Sequence, residues 1–457
     1  MAKQKISFEC TNCALQSAKW VGCCPACSEW NSFIEQTPTF DAFAKKSFGG
    51  SGTTNMPAAE LFQLDDINIQ AQERMQSGIK EWDRVLGGGV LPGSFIILTG
   101  DPGIGKSTLL LQVADRLAQE YEVVYFSSEE SLQQVKNRAN RLEVTASHLR
   151  FSDQSYLEGI VSTAKAHKPA LIILDSIQNC HLSPDSHAIP GTIAQLREAG
   201  FILMRLAKEN NIAVLITGHI TKEGQMAGPK VLEHMVDAVF YLQGEDRWQS
   251  RILRSVKNRF GTINEVGFFE MREEGLEEIA NINQHLLGEA SQVPGAALVC
   301  SIEGSRPLLL ELQALTIQSK FGMPQRVVTG MDPKRIVLIA AILEKYLYIK
   351  FSMQDIFFKV SGGFKIKESS SDLGIALALL SSYFQKPLPP KSLALAEISL
   401  TGQIKPANQV GMCIKEAEKF GIDTIFIARA QTGIKSSCRV IAFQSVYELL
   451  NLFPEDK

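Results

Sequence analysis

One stretch of this sequence, residues 100–107 with the letters GDPGIGKS, fits the phosphate-binding pattern G-x-x-x-x-G-K-[ST] at every specified position. The apolar run before it, residues 95–98, predicts a buried strand. The residues after it carry leucine and valine at helical spacing, at positions 109, 110, 113 and 117. The pattern therefore lies between a predicted strand and a predicted helix, as a nucleotide-binding loop requires.

The residue types in this loop predict how it holds a nucleotide. Its glycines let successive backbone N–H groups point at a phosphate, and the start of the next helix adds the positive end of its dipole. We expect Lys106 to contact the β- and γ-phosphates and Ser107 to bind Mg²⁺. The predicted nucleotide-binding residues are Gly100, Asp101, Pro102, Gly103, Ile104, Gly105, Lys106, Ser107 and Thr108. The predicted ligands are therefore ATP and Mg²⁺.

Composition limits the class of protein. Hydrophobic residues make up 45% of the 457 positions and charged residues 21%, which is typical of a soluble globular chain, and the length suggests about three domains. We find no apolar run long enough to span a bilayer and no secretory leader, so we expect a cytoplasmic protein without a membrane partner. The net charge of −3 gives no overall basic field, so a nucleic-acid site has to be a local patch.

Five of the nine cysteines lie between positions 10 and 27. Cys10 and Cys13 form one C-x-x-C pair, and Cys24 and Cys27 form a second. Two such pairs predict a closed tetrahedral Zn²⁺ site with a structural role, which leaves Cys23 as the spare thiol. We assign residues 1–35 to this zinc knuckle and residues 36–60, rich in Gly, Ser, Thr and Ala, to a flexible linker.

Three further apolar runs, residues 123–126, 171–174 and 213–216, predict strands of a parallel sheet that is covered on both faces. Polar residues follow each run, and the carboxyl ends of parallel strands share one edge, so we expect these residues to meet the phosphate loop. Asp175 fits the carboxylate that holds Mg²⁺ through water. Glu129 or Glu130 fits the carboxylate that activates the attacking water, and we prefer Glu129. His219 or Thr217 is a candidate sensor of the γ-phosphate.

A basic run follows, with Arg251, Arg254, Lys257 and Arg259 within nine residues. Such a run is often the solvated edge of a strand. The alternative is a cation donated to the γ-phosphate of a neighbouring subunit, because phosphoryl transfer gains from added positive charge in the transition state. Two segments near the predicted site, residues 180–191 and 221–229, have the composition of loops.

Several longer motifs occur in order along the chain: the two C-x-x-C pairs, DRVLGGG at 83–89, the phosphate loop, GHITKEG at 218–224, LEHMVD at 232–237 and KNRFG at 257–261. Together they resemble the bacterial RadA/Sms family of DNA repair proteins over nearly the whole chain. The resemblance implies an α/β fold, in which a small four-cysteine zinc knuckle precedes a RecA-like P-loop ATPase core (61–285) with a parallel sheet. An α+β domain similar to that of Lon protease follows (286–457).

The same resemblance implies a function and a set of partners. It implies a DNA-dependent ATPase that forms a homo-hexameric ring, moves on single-stranded DNA and extends branched recombination intermediates beside the RecA recombinase. It also places Lys257 and Arg259 in a signature motif needed for function with ATP and DNA. The predicted catalytic residues are Lys106, Glu129, Asp175, Lys257 and Arg259.

The C-terminal part raises the question of proteolysis. Its sequence predicts a hairpin from residues 297–302 to 308–312, and helices at 372–384 and 411–420. Ser370 aligns near the nucleophile position of Lon protease, but the position of the lysine base holds Met412, and Lys415 is the nearby substitute. A serine without a placed base is a weak nucleophile, so we interpret residues 369–371 as a polar helix start.

Two alternative functions stay open at this point. One is an ATP-dependent protease in which Ser370 works with Lys415. The other is a nucleotide-gated protein-binding switch, in which the zinc knuckle recruits a partner and hydrolysis resets the state. Lys359, Lys365 and Lys367 are candidate phosphate contacts on the C-terminal domain, although surface lysines are often merely solvated.

Overall fold

The computed structural model describes residues 7–10, 16–17, 22, 33–36, 61, 63, 73–183, 189–219, 232–245, 248–288, 292–320 and 324–454. The chain divides into two compact units, residues 1–70 and 71–457. Among the described residues, no helix is long and apolar enough to cross a membrane.

The first unit contains a small antiparallel sheet. Its strands are β1 (Ser7–Cys10), β2 (Gln16–Ser17) and β3 (Phe33–Gln36), in the order β2-β1-β3. Cys10 ends β1 and lies opposite Phe33 of β3. The other three predicted zinc ligands, Cys13, Cys24 and Cys27, lie outside the described residues.

A nine-stranded sheet forms the core of the second unit's first half. Its strands are β4 (Phe95–Gly100), β5 (Val123–Ser127), β6 (Leu149–Ser152), β7 (Leu171–Asp175), β8 (Ala213–His219), β9 (Ala238–Glu245), β10 (Trp248–Asn258), β11 (Val266–Arg272) and β12 (Gly275–Glu278). They lie in the order β12-β11-β10-β9-β4-β8-β7-β5-β6. The strands from β9 to β6 in that order are parallel, and β10 to β12 add an antiparallel extension.

Helices cover both faces of this sheet. They are α1 (Lys80–Leu86), α2 (Lys106–Leu117), α3 (Leu132–Arg141), α4 (Leu157–His167) and α5 (Ile193–Asn210). Alternate residues of β4 belong to two different cores, Ile96 and Leu98 to one, and Phe95 and Ile97 to the other. All four predicted apolar runs are strands, and their burial explains why they are apolar on both faces.

The second half of this unit is built on a seven-stranded sheet. Its strands are β13 (Ala296–Glu303), β14 (Arg306–Gln318), β15 (Arg326–Thr329), β16 (Gln354–Val360), β17 (Ser392–Leu395), β20 (Thr424–Ala428) and β21 (Arg439–Phe443), and a separate pair is formed by β18 (Glu397–Ile398) and β19 (Ile404–Lys405). The sheet order is β15-β16-β14-β13-β17-β20-β21. The predicted hairpin is confirmed, because β13 and β14 pair antiparallel over their length.

Four helices accompany this second sheet: α6 (Ile282–Gly288), α7 (Pro333–Leu347), α8 (Asp372–Phe384) and α9 (Val410–Lys419). The helices predicted at 372–384 and 411–420 are confirmed as α8 and α9. Residues 369–371 form a short 3-10 helix directly before α8, which agrees with the predicted polar helix start.

The tip of the β13–β14 hairpin joins the two sheets. A Cβ on Gly304 would stand 1.6 Å from the carbonyl oxygen of Asn264, so only glycine permits this approach. Arg306 donates to the buried carboxylate of Glu81 at 2.6 Å, and its guanidinium lies 4.9 Å from the ring centre of Phe268. One hydrophobic cluster also contains Ile252 and Phe268 of the first sheet together with the core of the second. The two sheets are therefore packed as one body.

Candidate nucleotide site

The phosphate loop connects β4 to α2 in a conformation that requires glycine. A Cβ on Gly100 would stand 2.3 Å from the carbonyl oxygen of Leu242, and one on Gly105 would stand 2.6 Å from Cε of Met271. Gly105 has a left-handed φ of 112° and makes no side-chain cap to α2. Glycine has no side chain that could accept from the N–H groups in the first turn of α2. Those N–H groups can therefore bind an anion such as phosphate.

Lys106 is buried at the start of α2. Its Nζ donates hydrogen bonds to the carbonyl oxygens of Gly100 at 2.9 Å and Asp101 at 3.0 Å. Burial lowers the pKa of Lys106, and the negative charges of Asp175, Glu129 and Asp101 act in the opposite direction. The predicted lysine and two of its predicted carboxylate partners therefore lie at one place.

Asp175 ends β7 and is held there by two hydroxyl groups. Thr217 Oγ1 donates to Asp175 Oδ1 at 2.6 Å, and Tyr125 OH donates to Oδ2 at 2.7 Å. Burial, together with the nearby Asp175, raises the pKa of Tyr125 well above its usual value, so the phenol stays a donor. Each carboxylate oxygen keeps further lone pairs that can accept from metal-bound water.

Thr217 was one of the two candidate sensors of the γ-phosphate. In the structure, its hydroxyl donates a hydrogen bond to Asp175. Only the backbone of the other, His219, is described, as the last residue of β8. The predicted loop at 221–229 and part of the loop at 180–191 lie outside the described residues.

The two glutamates after β5 have different surroundings. Glu130 Oε1 forms an ion pair with Arg138 Nη2 at 2.5 Å. Glu129 is exposed, and its charge acts on Lys106. Ser107 is half-buried and Thr108 is buried in the first turn of α2, next to Lys106. Of the two glutamates, Glu129 is the one whose charge acts on Lys106 of the phosphate loop.

Lys257 and Arg259 lie at the other end of the sheet. Lys257 pairs with Val239 near the start of β9, whereas Gly100 of the phosphate loop pairs with Leu242 further along that strand. Lys257 Nζ donates to the carbonyl oxygens of Glu233 at 2.6 Å and Val236 at 2.8 Å. Burial and the neighbouring Arg259 lower its pKa.

Arg259 is held at the same end by Asp237. Its Nη1 lies 3.4 Å from Asp237 Oδ1, and Lys208 Nζ contacts the other oxygen of that carboxylate at 2.6 Å. Asp237 also accepts from the backbone N–H of Phe95, the first residue of β4. The structure therefore does not bring Lys257 and Arg259 to the phosphate loop of their own chain.

Around Ser370, the described residues pair no lysine with the hydroxyl. Ser370 Oγ donates to the Glu368 carboxylate at 3.4 Å. Lys415 is exposed on α9, where its charge helps to lower the pKa of Glu418 together with stronger hydrogen bonds from Ser437 and Ser436. The chemistry that the likeness to Lon protease implies uses a lysine base, and the described residues do not show that pair.

Sequence reasoning missed Tyr125. It lies within the predicted strand 123–126 and was counted only as an apolar residue. A signal was available, since a buried tyrosine needs a partner for its hydroxyl and the neighbouring strand ends in a carboxylate.

Three family models match separate parts of the chain: a rubredoxin metal binding domain at residues 8–35, an AAA domain at 69–225, and subunit ChlI of Mg-chelatase at 321–431. Among solved structures, the RadB recombinase is 22% identical, with a TM-score of 0.36, and the likeness covers 45% of this chain and 99% of that one.

Curated relatives match over nearly the full length. The chain is 42% identical to the DNA repair protein RadA of Halalkalibacterium halodurans over 99% of both chains. It is 42% identical to that of Streptococcus pyogenes over 99% of both, and 41% identical to that of Synechocystis over 96% of this chain and 92% of the relative. With its zinc ribbon, its RecA-like P-loop ATPase core and its Lon-like C-terminal domain, the chain belongs to the family of the DNA repair protein RadA.

Proposed function

We propose that this chain is a DNA-dependent ATPase that works as a ring-shaped motor, a homo-hexamer, on single-stranded DNA. In this role it promotes branch migration of recombination intermediates beside the RecA recombinase, in the cytoplasm. The relatives named DNA repair protein RadA support the repair role. The observation that carries the ring is the position of Lys257 and Arg259, because cations at that end of the sheet can serve a nucleotide only in another copy of the chain.

The roles at the nucleotide site follow from the contacts. Lys106 turns from the loop carbonyls to the phosphates, and the backbone N–H groups of the loop and of the first turn of α2 bind the phosphate oxygens. The Ser107 hydroxyl and the Asp175 carboxylate fit Mg²⁺, which takes hard oxygen ligands and would neutralise charge on the phosphates. Thr217 and Tyr125 orient Asp175 through their hydrogen bonds to its two carboxylate oxygens.

We assign the activation of the attacking water to Glu129. Glu130 is engaged in a 2.5 Å ion pair with Arg138, so its carboxylate is already committed to a partner. Glu129 keeps an exposed carboxylate near Lys106 and can accept a proton from water at the site.

We assign structural Zn²⁺ to Cys10, Cys13, Cys24 and Cys27. Four thiolates are the donor set that a closed tetrahedral zinc site prefers, and the rubredoxin-type match at residues 8–35 covers all four. The three-stranded sheet that contains Cys10 supplies the scaffold of this module.

Steady-state ATP hydrolysis tests the proposal, with and without single-stranded DNA, at two salt concentrations and with Lys106→Ala as the blank. We expect strong stimulation by DNA that weakens at the higher salt, because phosphate contacts release counterions. Turnover that ignores DNA at both salt concentrations would overturn the motor and favour the nucleotide-gated switch. Ser370→Ala in the same assay is expected to hydrolyse ATP like the wild type.

A further inference from the structure

One cation of the basic run 251–259 lies at the phosphate loop of its own chain. Gly100 of the phosphate loop pairs with Leu242 of β9, and Arg251 pairs with Gly244, two positions further along the same strand. Lys257 pairs with Val239, near the start of β9. Arg251 and Lys257 are six positions apart, which corresponds to about 20 Å along β10. The run is therefore divided between the two ends of the sheet.

Arg251 contacts the loop through its guanidinium. Its Nε donates to the carbonyl oxygen of Ile104 at 3.0 Å, and its Nη1 donates to the carbonyl oxygen of Ser250 at 3.0 Å. The side chain crosses Gly244, where an added Cβ would stand 2.5 Å from Ile104 Cδ1 and 3.5 Å from Arg251 Nη1. Glycine at 244 thus leaves room for both the arginine and the loop.

This contact matters because of the direction in which the loop's backbone groups point. A loop that binds phosphate through its N–H groups has to turn its carbonyl groups away from the anion. Lys106 bonds two of these carbonyls, those of Gly100 and Asp101, and Arg251 bonds that of Ile104. Once Lys106 turns to the phosphates, Arg251 still holds the Ile104 carbonyl on the outside.

We propose that Arg251 is a positioning residue that keeps the phosphate loop in its anion-binding conformation within its own subunit. It acts through the Ile104 carbonyl and is distinct in place and role from Lys257 and Arg259. The inference rests on the proposed function, since it concerns nucleotide binding at that loop. Loss of Arg251 should weaken nucleotide binding more than it slows the chemical step, because the contact exists before any phosphoryl transfer.

The test compares Arg251→Ala and Arg251→Lys with the wild type. The dissociation constant of a fluorescent ATP analogue, KM and kcat for ATP, and the melting temperature are measured for each. A charge-assisted hydrogen bond is worth about tenfold in affinity, so we expect Arg251→Ala to raise the dissociation constant and KM by about that factor. At saturating ATP, we expect kcat within about twofold of the wild type, because the contact acts on binding.

Arg251→Lys keeps the charge but loses the planar Nε donor, so we expect an intermediate affinity. The control is Arg272→Ala, which removes a half-exposed arginine from the neighbouring strand β11, where it pairs with Glu270. This variant is expected to bind nucleotide like the wild type. Should Arg251→Ala fail to fold, the lysine variant decides the question by the same comparison.

The outcomes separate this inference from the proposed function. A wild type that binds the analogue, with Arg251 variants of equal affinity, overturns the inference and leaves the ATPase in place. A fall in kcat without a change in affinity also overturns it, because Arg251 would then act in the chemical step. A wild type that does not bind the analogue overturns both.

Discussion

The two ends of the nine-stranded sheet each hold a lysine by backbone carbonyls, but in different surroundings. Lys106 lies at the carboxyl end of β4, where Asp175 and Glu129 are close enough to affect its pKa. Lys257 lies at the amino end of β9, where the charge with the largest effect on its pKa is that of Arg259. The first site is assembled within one chain, whereas under the proposed function the second site acts on a phosphate that another chain holds. If the proposed function is right, the comparison teaches that half of a site can be fully folded in one chain and still need a second subunit to act.

Lys106→Ala breaks the first half of this comparison and should have the largest effect. Without the ammonium group, the β- and γ-phosphates lose their main positive partner, so we expect hydrolysis to fall by more than about 10³-fold. Steady-state release of phosphate measures it, and an unchanged melting temperature controls for folding. Residual hydrolysis above a tenth of the wild type would contradict the assignment.

Lys257→Ala breaks the second half. We expect turnover to fall by about 10²-fold to 10³-fold with nucleotide affinity nearly unchanged, because a cation given in trans acts on the transition state. Lys165→Ala is the matched control, since Lys165 is an exposed lysine in the last turn of α4, shortly before β7 begins.

Mixing subunits sharpens this prediction. We expect neither Lys257→Ala nor Lys106→Ala to hydrolyse ATP well alone, whereas a mixture can bring an intact Lys257 to an intact phosphate loop. We expect the mixture to recover part of the activity after subunit exchange. No recovery, or weak binding of ATP by a folded Lys257→Ala variant, would show that Lys257 acts within its own chain.

Glu129→Gln and Glu130→Gln together test which of the two carboxylates activates the attacking water. Loss of a general base costs about 10²-fold or more in turnover, so we expect that loss for Glu129→Gln. Glu130→Gln removes a charge that Arg138 already neutralises, and we expect a turnover within about fivefold of the wild type. A larger loss for Glu130→Gln than for Glu129→Gln, at equal stability, would reverse the assignment.

Tyr125→Phe removes the hydroxyl that donates a hydrogen bond to Asp175, and this change should have the smallest effect. Loss of such an outer contact to a metal-binding group costs about tenfold, so we expect turnover to require more Mg²⁺ by about that factor. A titration of turnover against Mg²⁺ measures it. If the Mg²⁺ dependence is unchanged while the melting temperature falls, the hydrogen bond is only structural.

The sequence was sufficient where the controlling contacts are local. The glycines at 100 and 105, the lysine after them and the apolar strand before them are all within a dozen residues, so the loop could be predicted. The β13–β14 hairpin could be predicted for the same reason, since its two strands are adjacent in sequence.

The sequence was insufficient where distant segments meet. Tyr125 and Asp175 are 50 positions apart, and only the pairing of β5 with β7 brings them together. Arg251 and Lys257 share one basic run, but the antiparallel course of β10 sends them to opposite ends of the sheet. Composition could not distinguish the two, because register and strand direction decide which end each residue reaches.

The hairpin tip at Gly304 has a thermodynamic consequence. Since Arg306 lies against Glu81 and Phe268, and the apolar cluster is continuous between the two sheets, neither half can lose its structure without exposing apolar surface of the other. On heating, the two halves should therefore unfold together and not one well before the other, which calorimetry measures. A chain ending at Gly288 would leave Ile252 and Phe268 facing water, so the ATPase half is expected to be aggregation-prone when produced alone.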